Sequence, residues 1–203
     1  MDTIKDHIIW DNFRLGSTDA LEIIYEENYK PLFHYGAKFT KDDALIKDTI
    51  QELFIELINS GEKLARTYNI RFYLLGALRN KLQHQLALDL KIKSGHIDEA
   101  AFSLIEPIEA ELIKKETEEN TKLKIISAIK KLSVKQQEII YLRFYNDMPF
   151  NEIANLLEVK IQTVRNLLNR AIKSLKDDFD NNQIHKQMFL FVLNMEFRPE
   201  FPS

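Results

Sequence analysis

Between Val159 and Lys176 the chain carries Lys160, Arg165, Arg170, Lys173 and Lys176 and neither Asp nor Glu. Amides stand among these cations at Gln162, Asn166 and Asn169. Guanidinium and amide groups bond base edges in pairs, and Lys and Arg neutralise phosphates, so these residue types point to duplex DNA. A helix must position them. Val164, Leu167, Leu168, Ala171, Ile172 and Leu175 recur at helical spacing and predict one apolar stripe, which leaves the cations and amides on the opposite face. Ile153, Ala154, Leu156 and Leu157 predict a shorter helix before it, with Pro149 in its first turn. Glu158, Val159 and Lys160 then form the turn of a helix-turn-helix whose reading end is Gln162 to Asn169. Periodicity alone favours an ordinary helical hairpin with a solvated basic face; the one-sided charge and the amides shift the reading to DNA. Two residue choices run against the motif. Glu158 occupies a turn position where glycine is easiest, because positive φ penalises a Cβ. Neither Lys160 nor Ile161 is a good N-cap.

Composition narrows the function classes. The five glycines are scattered, so no phosphate-cradling loop can be assembled. The absence of cysteine excludes disulfides, thiol catalysis and Cys-based zinc sites, and fits a reducing cytoplasm. His96, beside Asp98 and Glu99, has no second histidine at ligand spacing and reads as a surface residue. No metal or cofactor is expected. No nucleophile and base stand at telling spacing, so the chain is not expected to be an enzyme. Asp2, Lys5 and Asp6 interrupt any N-terminal signal, and no stretch is long and apolar enough for membrane insertion. The net charge of −3 is unusual for a free-standing DNA binder, whose affinity comes largely from phosphate neutralisation.

The remaining pattern predicts helices throughout. Ile8, Ile9, Trp10 and Phe13 mark a short lead helix. A longer helix runs from the Gly16-Ser17-Thr18 start to Phe39, kinked or divided at Pro31. The helix over 42–59 buries Leu45, Ile46, Ile50, Leu53, Phe54, Leu57 and Ile58, and shows Asp48, Gln51, Glu52 and Glu56 outward. A helix over 67–90 mixes Phe72, Tyr73, Leu75, Leu78 and Leu82 with Arg71, Arg79, Asn80 and Lys81. Aromatics beside cations suit single-stranded nucleic acid, although plain core packing is the better account of Phe72 and Tyr73 from these residues alone. Eight acidic residues against two lysines between Asp98 and Glu119 mark a linker. Beyond it a helix over 117–131 precedes one opened by a capping box at Ser133 and Gln136. The run MFLFVLNMEF near the C-terminus is strongly apolar.

Several stretches together resemble the bacterial RNA polymerase sigma factors of the extracytoplasmic-function (ECF) group, the smallest of the sigma-seventy family. Tyr25 to Phe39 is similar to the start of their region two. Asp48 to Phe54, DTIQELF, is similar to the family's Asp-x-x-Gln-Glu-x-Phe helix. Arg71 to Leu82 resembles the segment that melts and holds the minus-ten strand, with Tyr73-Leu74 where the family often has Trp-Leu. Leu132 to Leu175 resembles region four, through Glu152-Ile153-Ala154, Thr163-Val164, Arg170-Ala171 and Leu175. The resemblance spans about residues 8–178. It implies an all-α fold of two small helical domains joined by a linker, the C-terminal one a four-helix domain containing the helix-turn-helix. The expected division is 1–90 for region two, 91–116 for the acidic linker, 117–180 for region four and 181–203 for an apolar tail of unassigned role.

The resemblance also implies roles. Asp48, Gln51 and Glu52 would dock on core RNA polymerase. Arg71, Phe72, Tyr73, Arg79, Asn80 and Lys81 would engage the opened strand. Lys160, Gln162, Thr163, Arg165, Asn166, Asn169, Arg170 and Lys173 would bind the minus-thirty-five duplex. The expected partners are core RNA polymerase and promoter DNA, with room left for an anti-sigma factor. The competing expectation is a dimeric helix-turn-helix regulator acting on palindromic operators without polymerase.

Overall fold

The computed structural model describes residues 3–94, 102–104 and 126–178, and every regular element among them is helical. The chain forms two compact units, Met1–Ala101 and Phe102–Ser203.

The first unit packs α1 (Thr3–Arg14), α2 (Thr18–Gly36), α3 (Asp43–Ser60) and α4 (Ile70–Ser94), with a 3₁₀ turn at Gly61–Lys63. Local chemistry sets most of the ends. The Ser17 N–H donates to the Asn12 carbonyl at 3.0 Å and closes α1, while the intervening Gly16 takes φ +93° at no Cβ cost. The Ser17 hydroxyl accepts from the Ala20 N–H and starts α2. Asp42 does the same for α3, its carboxylate taking the Leu45 N–H at 3.0 Å. Pro31 neither kinks α2 into two elements nor ends it: the helix runs on to Gly36, because Leu32, Tyr35 and Gly36 beyond the proline are all buried in the core. Gly36 brings α2 close to α3, since a Cβ there would lie 2.7 Å from Cγ2 of the fully buried Ile46.

The start of α4 is set at long range. The expected helix over 67–90 begins instead at Ile70. Asn69 caps it, its Oδ1 accepting from the Phe72 N–H at 3.0 Å. Asp6, buried on α1, takes the Ile70 N–H at 3.2 Å from 64 residues away. Two acceptors at one helix start satisfy donors that would otherwise be orphaned, and a carboxylate there suits the helix dipole. Trp10 ties the preceding loop to α1, its indole N–H donating to the Ala65 carbonyl at 2.9 Å. Leu74, Leu75, Leu78 and Leu82 of α4 close over Ile46 and Ile50 of α3 and Ile24 and Leu32 of α2, all of them fully buried.

In the second unit the helical residues 126–130 form α5, followed by α6 (Val134–Ile140), a π-helical turn at Tyr141–Tyr145, α7 (Phe150–Leu156) and α8 (Ile161–Asp178). The capping box at α6 is present in full, Ser133 and Gln136 each bonding the other's backbone N–H. Pro149 stands just outside α7 in an extended conformation, not in its first turn. Phe102 and Leu104, inside the stretch expected as linker, are buried in this unit. The Phe102 ring meets Tyr141 at 5.8 Å, and the buried Gln137 side chain accepts from the Leu104 N–H at 3.0 Å while donating to the Leu132 carbonyl at 3.1 Å. The 181–203 tail, residues 105–125 and the side chains of 89–94 lie outside the described residues.

Candidate nucleic-acid interface

The helix-turn-helix is built by a specific helix ending. The Val159 N–H bonds the Ala154 carbonyl at 3.0 Å and the Glu158 N–H bonds the Asn155 carbonyl at 3.2 Å, the paired closure of a Schellman motif. Such a motif needs one left-handed residue, and Glu158 supplies it at φ 53°. A side chain in that conformation costs about 1–2 kcal/mol. Glu158→Gly is therefore expected to raise the stability of this unit by about 0.5–1 kcal/mol, after allowing for glycine's greater freedom in the unfolded chain. Urea denaturation checks it; no gain would mean that the turn does not hold its strain.

Beyond the turn, the Lys160 carbonyl accepts from the Thr163 N–H at 2.8 Å and opens α8 without any side-chain cap. Val164, Leu168, Ala171 and Leu175 are buried. Gln162, Thr163, Arg165, Asn166, Asn169, Arg170 and Lys173 share the exposed face, with Lys160 exposed beside it. All eight expected duplex-binding residues are thus brought together. They are partly pre-arranged, because Nε2 of Gln162 donates to Oδ1 of Asn166 at 3.1 Å. Two further residues, which the sequence pattern did not single out, frame this face. The Phe150 ring lies 5.3 Å from the Arg143 guanidinium carbon and 5.7 Å from that of Arg165. An aromatic opening the first helix of the motif, with arginines seven residues before it and fifteen after, was the available signal.

In the first unit, Asp48, Gln51 and Glu52 are exposed on the outer side of α3. Gln51 lies on the rim of a groove of about 510 Å³ between α2 and α3, with Tyr25, Phe54, Ile55 and Ile58 among its lining residues. Glu52 also faces α4, accepting from Nε2 of Gln85 at 3.4 Å and lying 3.9 Å from the Lys81 ammonium. Lys81 pairs with Glu56 as well, so it is held in an α3–α4 ion cluster.

The residues expected on the opened strand are not gathered on one face. Successive helical positions diverge by about 100°, which separates Arg79, Asn80 and Lys81. Arg79 is buried, its guanidinium donating to Oε1 of Gln83 at 3.0 Å. Asn80 is exposed, and Arg71 and Phe72 are half-buried. Tyr73 packs its ring on Trp10 at 5.0 Å, and burial raises the pKa of its hydroxyl. Tyr68, in the loop before α4, is 67% exposed and stacks on His7 with ring centres 5.0 Å apart. It is the ring of this region most open to solvent, and Arg66 beside it is exposed too. Among the described residues no group of His, Asp and Glu is arranged to hold a metal, and no helix is long and apolar enough to cross a membrane.

Residues 122–175, which contain the whole helix-turn-helix, match the family described as Sigma-70, region 4. That segment is similar to region four of the sigma-70 factors. RNA polymerase sigma factor YlaC of Bacillus subtilis (strain 168) is 22% identical over 171 residues, covering 81% of this chain and 95% of that protein. Bacteriocin UviA of Clostridium perfringens is 27% identical over 176 residues, covering 80% and 92% respectively. Among solved structures, the sigma factor RpoE in complex with the anti-sigma factor NepR from Bartonella quintana has a TM-score of 0.51 at 15% identity, covering 81% of this chain and 96% of that one. That likeness supports the all-helical, two-domain fold. The matched residues run from just before α5 to Leu175 in α8 and include the helix-turn-helix of α7 and α8.

Proposed function

We propose that this chain is an RNA polymerase sigma factor that carries core polymerase to particular promoters and performs no reaction of its own. The observation that carries this reading is the region-four match lying on a helix-turn-helix whose outward face is rich in cations and amides. Residues 1–90 act as region two, 117–180 as region four, 91–116 as the connection between them and 181–203 as an appended tail. Asp48, Gln51 and Glu52 meet the polymerase, and the apolar groove beside Gln51 extends that surface. Arg71, Phe72, Tyr73, Arg79, Asn80 and Lys81 serve promoter opening. Of these, Phe72 and Asn80 are best placed to meet bases, while Arg79 and Tyr73 shape the helix that carries them. Lys160, Gln162, Thr163, Arg165, Asn166, Asn169, Arg170 and Lys173 bind the minus-thirty-five duplex. The partners are core RNA polymerase and promoter DNA in the cytoplasm, and an anti-sigma factor is the partner class named with the RpoE neighbour.

A net charge of −3 fits this division of labour. Two modules that grip DNA weakly gain from effective concentration once a large enzyme holds both on one template. The deciding experiment mixes the chain with core RNA polymerase and asks for co-elution and transcription from a defined start. Failure to bind polymerase, together with tight dimeric binding to a symmetric operator, would replace this reading with that of an ordinary regulator.

Arg165→Ala is expected to remove about 1–3 kcal/mol of discrimination at one base pair of the minus-thirty-five element and to leave polymerase affinity unchanged. Promoter profiling with the variant holoenzyme measures it; an unaltered profile removes Arg165 from the readers.

A further inference from the structure

Three elements of region four converge on one ring. Arg143 leaves the π-helical turn, Phe150 is the first residue of α7, and Arg165 lies on the exposed face of α8. The two guanidinium carbons stand 5.3 and 5.7 Å from the Phe150 centroid, within the range of cation–π attraction. Arg143 is fixed on its own side. Its Nη1 donates to the Met148 carbonyl at 3.2 Å and lies 3.4 Å from Oδ1 of Asp147, itself in the left-handed region at φ 48°. Pro149 sets the backbone immediately before the ring, and Phe150 is half-buried. The ring is therefore anchored, whereas Arg165 stands on an exposed helix face.

We propose that Phe150 is a positioning residue for promoter recognition: its ring holds the Arg165 guanidinium in place before DNA arrives, with Arg143 fixing the ring from the other helix. The proposal rests on the sigma-factor reading of α8. An arginine side chain loses rotational freedom when it bonds a base edge, and one already resting on an aromatic loses less. The ring also places a negative π-face beside two like charges that would otherwise repel. Phe150 therefore governs how sharply one base pair is read, not how tightly the chain grips phosphates.

The test uses the full chain with core RNA polymerase on a promoter library varied through the minus-thirty-five element. Phe150→Leu is expected to relax preference roughly threefold to fivefold at the base pair that Arg165→Ala relaxes, and to add nothing in the Arg165→Ala background. Phe150→Tyr keeps the π-face and is expected to keep the profile. Urea denaturation reports whether each variant folds, and Phe150→Met carries the same comparison should the leucine variant unfold. If Arg165→Ala shifts the profile and Phe150→Leu does not, or lowers transcription equally from every promoter, the positioning role is overturned and the sigma reading stands. If Arg165→Ala shifts nothing, Arg165 is no reader and the proposal falls with it. A wild-type chain that starts no transcription with polymerase overturns the underlying reading itself.

Discussion

Trp10→Ala is expected to destabilise the first unit by about 3–5 kcal/mol, the usual cost of emptying a large aromatic site in a core. Trp10 is fully buried, with Phe13 at 5.5 Å and Tyr73 at 5.0 Å between ring centres. Alanine leaves a cavity that the helices cannot close, because α1 is also held at Asp6 to the start of α4. The lost hydrogen bond to the Ala65 carbonyl adds less, since Ala65 is exposed and water can take the donor's place. Trp10→Phe separates the two effects, keeping most of the packing and losing the bond. Far-UV circular dichroism in urea is the appropriate measurement. Trp10 is the chain's one tryptophan, so tryptophan fluorescence follows this unit in the wild type and is lost in the variants. The second unit's transition is expected to stay in place. A loss below about 1 kcal/mol would show that α1 is not integral to the first unit. Promoter opening is expected to weaken as well, because Tyr73, proposed to shape the helix that serves it, packs on Trp10.

The second large effect concerns Lys38, just past the end of α2. Its side chain is buried, and that burial lowers the ammonium pKa from 10.5 to about 8. The sign follows directly. Between about pH 8 and 10.5 the unfolded chain keeps a proton on Lys38 that the folded chain has released, so stability climbs with pH across this window. Below about pH 8 both states are charged and the folded one bears the full cost of a buried cation, which the gap between the two pKa values sets at about 3 kcal/mol. Lys38→Met keeps the apolar stem and removes the charge. It is expected to stabilise the first unit by about 2–3 kcal/mol at pH 7 and to lose that advantage towards pH 10.5. Urea denaturation of both proteins across this range, compared as a difference, cancels the other titrating groups. A difference that does not change with pH would mean that Lys38 keeps its proton throughout.

What could be read from the sequence was whatever near neighbours decide. The cap at Asp42 and the box at Ser133 and Gln136 are short-range hydrogen bonds between residue types with few alternatives. The stripe on α8 is a matter of period. For the same reason the exposed polar residues of α8 were legible as a set: a stripe that must be buried leaves its opposite face determined. The errors lie where distant parts of the chain decide. Periodicity extends α4 back to Thr67, but Asp6 and Asn69 take its first free N–H groups and fix the start at Ile70. Arg79 reads as an outward cation, yet it is buried and bonded to Gln83 on its own helix. Ile58 fits the buried period of α3 and is 52% exposed, where it lines the groove beside α2. Phe102 and Leu104 lie in acidic surroundings that suggest a tether, and only the Tyr141 ring and the Gln137 amide reveal where they belong. Phe150 offered only a faint signal, since its partners come from two other elements.

The bond from Asp6 to Ile70 spans 64 residues and that from Trp10 to Ala65 spans 55, whereas the helix-turn-helix closes through neighbours. During translation, α1 therefore has to wait for dozens of later residues to emerge before it can be sealed in place. Until then Trp10 and Phe13 are greasy side chains without their native neighbours, a target for chaperones that hold nascent apolar segments. The second unit waits for less, since its longest described bond, from Leu104 to Gln137, spans 33 residues.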